Sequence, residues 1–195
     1  MVGVGDILLI RHGQTEWSAN GRHTSYTDLP LTEQGEQEAE ALRPALAGRR
    51  IAAVLCSPLQ RTRRTAELAG LRITGTDDDL VEWNYGAYEG ITSKQIHADR
   101  PDWSLWRHGC PDGESPEQVG TRVDRALARA RDLAGDGDVV LVGHGHSLRV
   151  CGARWIGLAP AHGAGLLLNT ATLSVLGSEH GLPALARWNA PVSGA

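Results

Sequence analysis

Apolar residues occur along this chain in short bursts, separated by polar stretches with helical spacing. Ile7 to Ile10 is one burst, Ile51 to Cys56 a second and Val139 to Val142 a third. Apolar runs this short, closed by turn residues, read as buried strands. Between them the period changes. Thr32 caps a helix that opens over Leu31 to Glu36, with Gly35 at its third position and Ala39, Leu42 and Leu46 on one face. Pro44 kinks or ends that helix. Ser57-Pro58 reads as a cap and first-turn pair for the next helix, which runs through Arg61, Thr65 and Leu68 to about Gly70.

Ile73-Thr74 reads as a short edge strand and Asp77 to Leu80 as a loop. Ile91 to His97 is helical and stops before Pro101, and Asp102 to Trp106 forms a further short helical turn. Ser115 caps the longest helix, whose apolar stripe is Val119, Val123, Ala126, Leu127 and Ala130, and Gly135-Asp136-Gly137 ends it. Another helix spans Ser147 to Ile156. Leu173 to Leu176 and Leu185 to Trp188 read as a hairpin around His180-Gly181, and Pro191 to Ala195 as a loose tail. Alternating strands and helices predict an α/β fold with helices on both faces of a mostly parallel sheet. At 195 residues the chain fits one domain with a substantial core.

Composition narrows the partners. A net charge of −4 and no long basic run give no nucleic-acid footprint. No apolar stretch is long enough to span a bilayer, and Met1 to Asp6 lacks the basic-then-apolar pattern of a secretory leader. Cys56, Cys110 and Cys151 have neither zinc-like nor CxxC spacing; the two in apolar stretches read as small buried hydrophobes, and the odd count without a paired framework fits a reducing, cytoplasmic compartment. Lys94 is the only lysine, so Arg supplies the cations, and Arg is the better bidentate partner for phosphate.

Candidate chemistry gathers where strands end. The first strand breaks off into Arg11-His12-Gly13, and the third into Gly143-His144-Gly145-His146. Strand ends opening into loops are where α/β proteins bind ligands. Two such ends can bring His12 and His144 to one pocket. Phosphoryl transfer needs cations or N–H donors around the phosphoryl oxygens, an in-line nucleophile and a proton for the leaving oxygen. Arg11 and Arg61 are placed to supply cations, although spacing alone favours reading Arg61 as a solvated helix residue. A metal role for His144-Gly145-His146 lacks a third ligand at suitable spacing.

Five ordered segments sharpen this reading. They are Arg11 to Trp17, Asp28 to Gly35, Cys56 to Ala66, and Glu82 to Gly90 with Gly143-His144-Gly145 beyond it. Together they resemble the histidine phosphatase superfamily, the phosphoglycerate mutase-like proteins, and within it the bacterial acid phosphatases. The resemblance implies a three-layer α/β/α sandwich with no metal or other cofactor. It implies His12 as the phosphorylated nucleophile, Arg11, Arg61 and His144 on the phosphoryl oxygens, and Glu82 as the proton donor. It places Thr15 in support of the nucleophile loop, Thr24 and Gly145 near the phosphate, and Glu89 as an organiser of its loop.

Two positions depart from the family pattern. Ser18 stands where Asn is usual, with a shorter reach to phosphate. His146 stands where Gly is common and reads as a cap of the helix that follows, with substrate contact as the alternative. The family also holds cofactor-dependent mutases with a longer basic insertion. Here the corresponding lid-like segment, about 91–113, is short and carries Trp103 and Trp106, which either line the substrate mouth or pack beneath the lid. A short lid favours hydrolysis of a small-molecule phosphate monoester over mutase chemistry or noncatalytic binding of a phospho-ligand. The implied optimum lies on the acidic side of neutral. A monomer or homodimer is expected.

Overall fold

The computed structural model describes residues 5–191, so most of the N-terminal stretch and of the tail reading lies outside the described residues. In chain order the regular elements are β1 (Ile7–Arg11), α1 (Glu16–Asn20), α2 (Glu33–Glu40), α3 (Arg43–Leu46), β2 (Ile51–Cys56), α4 (Gln60–Leu68) and β3 (Gly75–Thr76). They continue with α5 (Ser93–Asp99), α6 (Leu105–His108), α7 (Pro116–Leu133), β4 (Asp138–Gly143), α8 (Gly145–Trp155), β5 (Leu173–Glu179) and β6 (Leu182–Ala190). The sheet order is β3-β2-β4-β1-β5-β6. The first four strands run parallel, and the β5–β6 hairpin adds antiparallel to β1.

Alternation within the strands sends side chains to two separate cores. Ile7 and Leu9 of β1 join Val119, Val123 and Leu127 of α7 and Leu148 of α8 on one face. Leu8 and Ile10 join Leu42, Val54, Ala66 and Leu173 on the other. A strand has a side-chain period of two, so a sheet buried on both faces needs apolar residues at consecutive positions. That is why β1 and β4 read as unbroken apolar runs. The result is the expected three-layer sandwich.

Thr32 caps α2 through its side chain, and the helix stops at Glu40 before Pro44 enters the first turn of α3. Ser115 caps α7 in a capping box with Gln118. Several boundaries differ from the sequence reading. The edge strand is Gly75–Thr76 rather than Ile73-Thr74, because Thr74 uses its hydroxyl as well as its backbone N–H to bind Val54. Asp78–Leu80 forms a 3-10 turn capped by Asp77. α5 starts after a Thr92 cap and α8 already at Gly145. Leu59, not Ser57, is the N-cap of α4. The segment 91–113 sends Ile96, Trp103, Leu105 and Cys110 into the main core.

Candidate active site

Register between β1 and β4 pairs Arg11 with Gly143. The two parallel strands therefore end side by side, and the next residue of each is a histidine. The His12 N–H continues the ladder to Gly143 O at 3.0 Å. The rings of His12 and His144 meet edge-on with centroids 5.2 Å apart. The neighbouring strand β2 ends level with them, and the Ser57 N–H donates to Val142 O at 3.0 Å. A cleft of about 200 Å³ opens at this edge, bordered by Arg11, His12, Thr15, Ser18, Thr24, Glu82 and Gly145.

His12 is buried, and one of its nitrogens is already spoken for. Its Nδ1 lies 2.7 Å from Gly13 O. A carbonyl only accepts, so Nδ1 carries the hydrogen and Nε2 carries the lone pair. Burial, then the positive charges of Arg61 and Arg11, hold the imidazole well below its ordinary pKa, against the opposing bond to Gly13 O. The ring is thus neutral near pH 7 and its free nitrogen borders the cleft.

The loop beneath His12 is held from several sides. The Gly13 N–H donates to Thr65 Oγ1. Gly13 and Gly35 lie backbone to backbone, and a Cβ on either would collide with main-chain atoms of the other segment. Thr15 and Ser18 form a reciprocal capping box at the start of α1. The Ser18 hydroxyl donates to Thr15 O, so its hydrogen is used within the loop although Ser18 borders the cleft. The Thr24 hydroxyl likewise donates to Arg22 O. Glu89 accepts from the Ser25 and Thr27 N–H groups and so holds the 25–27 loop.

Glu82 is buried at the N-terminus of α8. Its carboxylate accepts from the Trp83 and Ser147 N–H groups on Oε1 and from the His146 N–H on Oε2. A carboxylate has about four acceptor positions, so one lone pair on Oε2 stays free for a proton. Arg122, itself buried and paired with Glu114, donates to the carbonyls of Asp79, Val81 and Glu82 and fixes the backbone that carries this carboxylate.

Arg11 borders the cleft, with one guanidinium nitrogen bound to Leu168 O at 2.6 Å. Its Nε is buried with no partner among the described residues. Burial lowers its pKa while Glu82 raises it. Arg61 is fully buried rather than solvated. Its guanidinium donates to the carbonyls of Thr24, Ser25 and Thr27 and to His144 Nδ1. The His144 Nε2 hydrogen consequently goes to Ser57 Oγ at 2.8 Å. Arg61 and His144 form a layer behind the cleft rather than its surface, and Ser57 supports His144 instead of capping α4.

His146 does not cap α8. That helix has no side-chain cap, and the His146 ring borders the cleft with Nδ1 2.6 Å from the Tyr85 hydroxyl. It shares no convergent point with His144, whose nitrogens face Arg61 and Ser57. Trp103 and Trp106 pack behind the cleft wall, edge-on to His23 and His146. From 91–113 only Ser93 borders the cleft. His23, Tyr85 and Arg149 also border it and were not singled out by the sequence reading. Arg149 sits one helical turn beyond His146 on α8, and that spacing was the available signal.

The match to known proteins covers the same span. The model of the "Histidine phosphatase superfamily (branch 1)" matches residues 7–191. An acid phosphatase of Mycobacterium tuberculosis is 44% identical over 182 residues, covering 92% of this chain and 90% of that protein. A sedoheptulose 1,7-bisphosphatase of Saccharomyces cerevisiae is 38% identical over 186 residues, covering 77% of this chain and 67% of that one. The solved structure of an open reading frame from Mycobacterium tuberculosis superimposes with a TM-score of 0.94 at 42% identity, covering 97% of this chain and 99% of the other. The chain belongs to the histidine phosphatase superfamily.

Proposed function

We propose that this protein is a phosphatase that hydrolyses small phosphate monoesters by double displacement through His12. The observation that carries the reading is the state of that ring: Nδ1–H is anchored on Gly13 O, and a neutral Nε2 faces a cleft that also holds Arg11 and Glu82. Names borne by the similar proteins, an acid phosphatase and a sugar bisphosphatase, support hydrolysis over mutase chemistry.

In the first step His12 Nε2 forms a bond to phosphorus as the P–O bond to the alcohol breaks in line. Glu82 gives its proton, held at the free Oε2 lone pair, to the departing oxygen. In the second step water attacks the phosphorus, Glu82 takes its proton, and the P–N bond breaks to release phosphate and restore His12. Arg11 borders the cleft and bears on the phosphoryl oxygens with its positive charge. Arg61 supplies positive field from the layer behind, and His144 packs edge-on against the His12 ring. Thr15 and Ser18 shape the loop, and the Thr24 segment and Gly145 leave room for the phosphate. A Cβ at Gly145 would come 3.3 Å from the Arg11 guanidinium carbon and crowd that room.

The test is a panel of sugar phosphates, phosphoglycerates, nucleotides and phosphoamino acids scored for phosphate release, with 3- to 2-phosphoglycerate conversion followed in parallel. Release of inorganic phosphate from several esters is the expected result. Efficient interconversion without release would replace this reading with a mutase. Saturable binding with neither product would replace it with a noncatalytic binder.

A further inference from the structure

Three side chains on the cleft wall, His23, Tyr85 and His146, take no part in the phosphoryl chemistry. Their rings form one packed group. His23 lies 4.7 Å from Tyr85 and 6.3 Å from His146, stacked at 28° to the latter. Trp103 and Trp106 back the group edge-on, at 5.9 Å from His23 and 5.3 Å from His146.

Each polar edge of this group has a fixed sense. The His23 Nδ1 hydrogen goes to Ile91 O at 2.8 Å, so its Nε2 is a pure acceptor. The buried Tyr85 hydroxyl has no partner but His146 Nδ1 among the described residues, at 2.6 Å. Donation from this O–H to Nδ1 gives the hydroxyl hydrogen its one acceptor among the described residues, and that assignment puts the His146 hydrogen on Nε2. Neither Nε2 has a protein partner among the described residues. Burial lowers the pKa of both imidazoles, which keeps the pair uncharged near neutral pH. The wall thus presents one neutral acceptor and one neutral donor on two stacked rings.

A second phosphate or carboxylate offers acceptors only and would leave the His23 nitrogen opposed. A hydroxyl both donates and accepts, so it matches the pair. We infer that His23 and His146 read hydroxyl groups on the leaving alcohol, so that the substrates are phosphate monoesters of polyhydroxylated alcohols, sugar or polyol phosphates. A substrate hydroxyl donates to His23 Nε2 and accepts from His146 Nε2–H. Tyr85 is a positioning residue that sets the His146 tautomer. The inference rests on the phosphatase reading and gives it a substrate class.

Erythritol 4-phosphate and n-butyl phosphate share a four-carbon chain and differ in hydroxyls, so their kcat/KM ratio isolates the effect. The native enzyme is expected to prefer the erythritol ester by about 10- to 100-fold, because an ester lacking hydroxyls leaves buried polar edges unpaired. His146→Leu should cut that ratio by about 10-fold, and His146→Gln, which keeps a donor, should restore part of it. Tyr85→Phe should lower the ratio while preserving the ring packing, which a purely structural role would not do. Equal kcat/KM for the two esters, or a His146→Leu variant that slows both by one factor, would overturn the inference. So would a preference for 4-phosphooxybutanoate over the erythritol ester, because Arg22 and Arg149 also border the cleft and would then be selecting a second anion. p-Nitrophenyl phosphate separates the two levels. Turnover of it without hydroxyl preference sinks this inference alone; no release from any ester sinks the phosphatase reading and this inference with it.

Discussion

Glu82 has two jobs in this structure, and Glu82→Gln separates them. The carboxylate is the proposed acid, and it also ties three backbone N–H groups, of Trp83, His146 and Ser147, across the start of α8. Glutamine preserves the shape. Its carbonyl oxygen can replace Oε1 and keep the Trp83 and Ser147 bonds. Its NH2 then takes the place of Oε2 and faces the His146 N–H, donor against donor. One charge-assisted bond is lost and a buried donor is left unpaired, at a cost of about 1.5–3 kcal/mol. For a chain of this size that lowers the melting temperature by roughly 3–12 °C. Loss of the acid should slow hydrolysis of alkyl phosphates by about 10²- to 10⁴-fold. The effect on p-nitrophenyl phosphate should be far smaller, because its leaving group scarcely needs a proton. Calorimetry and a leaving-group series on the same preparation read both effects. An unchanged melting temperature would refute the structural part, and equal slowing of all esters would refute the acid assignment.

Acid should weaken the fold before it silences the site. His12, His23, His144 and His146 all have folded-state pKa values lowered first by burial. Below about pH 6.5 the unfolded chain binds protons that the folded chain refuses, so stability falls as pH falls, by up to about 1.4 kcal/mol per imidazole per pH unit. Denaturant titrations at pH 7.5 and 5.5 should show that loss, whereas a fold more stable at pH 5.5 would contradict it. Over the same interval His12 stays neutral, and initial rates should persist below pH 6; a rate falling with an apparent pKa of 6.5 or higher would count against a shielded nucleophile. Gly35→Ala should push the Gln14 carbonyl away and shift the His12 loop, lowering stability by about 1–3 kcal/mol and turnover with it; wild-type kinetics in that variant would show the contact to be slack. Cys56, Cys110 and Cys151 are buried thiols whose pKa values burial pushes up to about 12. They should react with Ellman's reagent only on unfolding, and prompt labelling of the native protein would contradict their burial.

The parts of the fold that were legible in the sequence are those set by local pattern. Unbroken apolar runs in β1, β2 and β4 follow from burial on both sheet faces, and the Thr32 and Ser115 caps follow from side-chain chemistry at helix starts. The site's skeleton was legible because two of those runs end in Arg11-His12 and Gly143-His144. The shifts came where long-range bonds outweigh local preference. Ser57 resembles a helix cap, yet its hydroxyl serves His144, 87 residues away. Arg61 lies in a helix rich in arginine, and only its carbonyl partners at Thr24, Ser25 and Thr27 explain its full burial. His146 has the position of a capping residue, but Tyr85 takes its ring and Glu82 its N–H. Spacing along the chain carries no record of such pairings.

The central claim is a transient bond from phosphorus to one nitrogen of one ring. Rapid acid-free quenching during turnover, followed by mass spectrometry and phosphorus NMR of the isolated peptide, tests it directly. The account predicts a phosphoryl group on His12 at Nε2, formed at a rate no slower than turnover, because Nδ1 is committed to Gly13 O. A phosphoryl group on Nδ1, on His144 or on His146, or turnover with no phosphorylated histidine at any time, would contradict it.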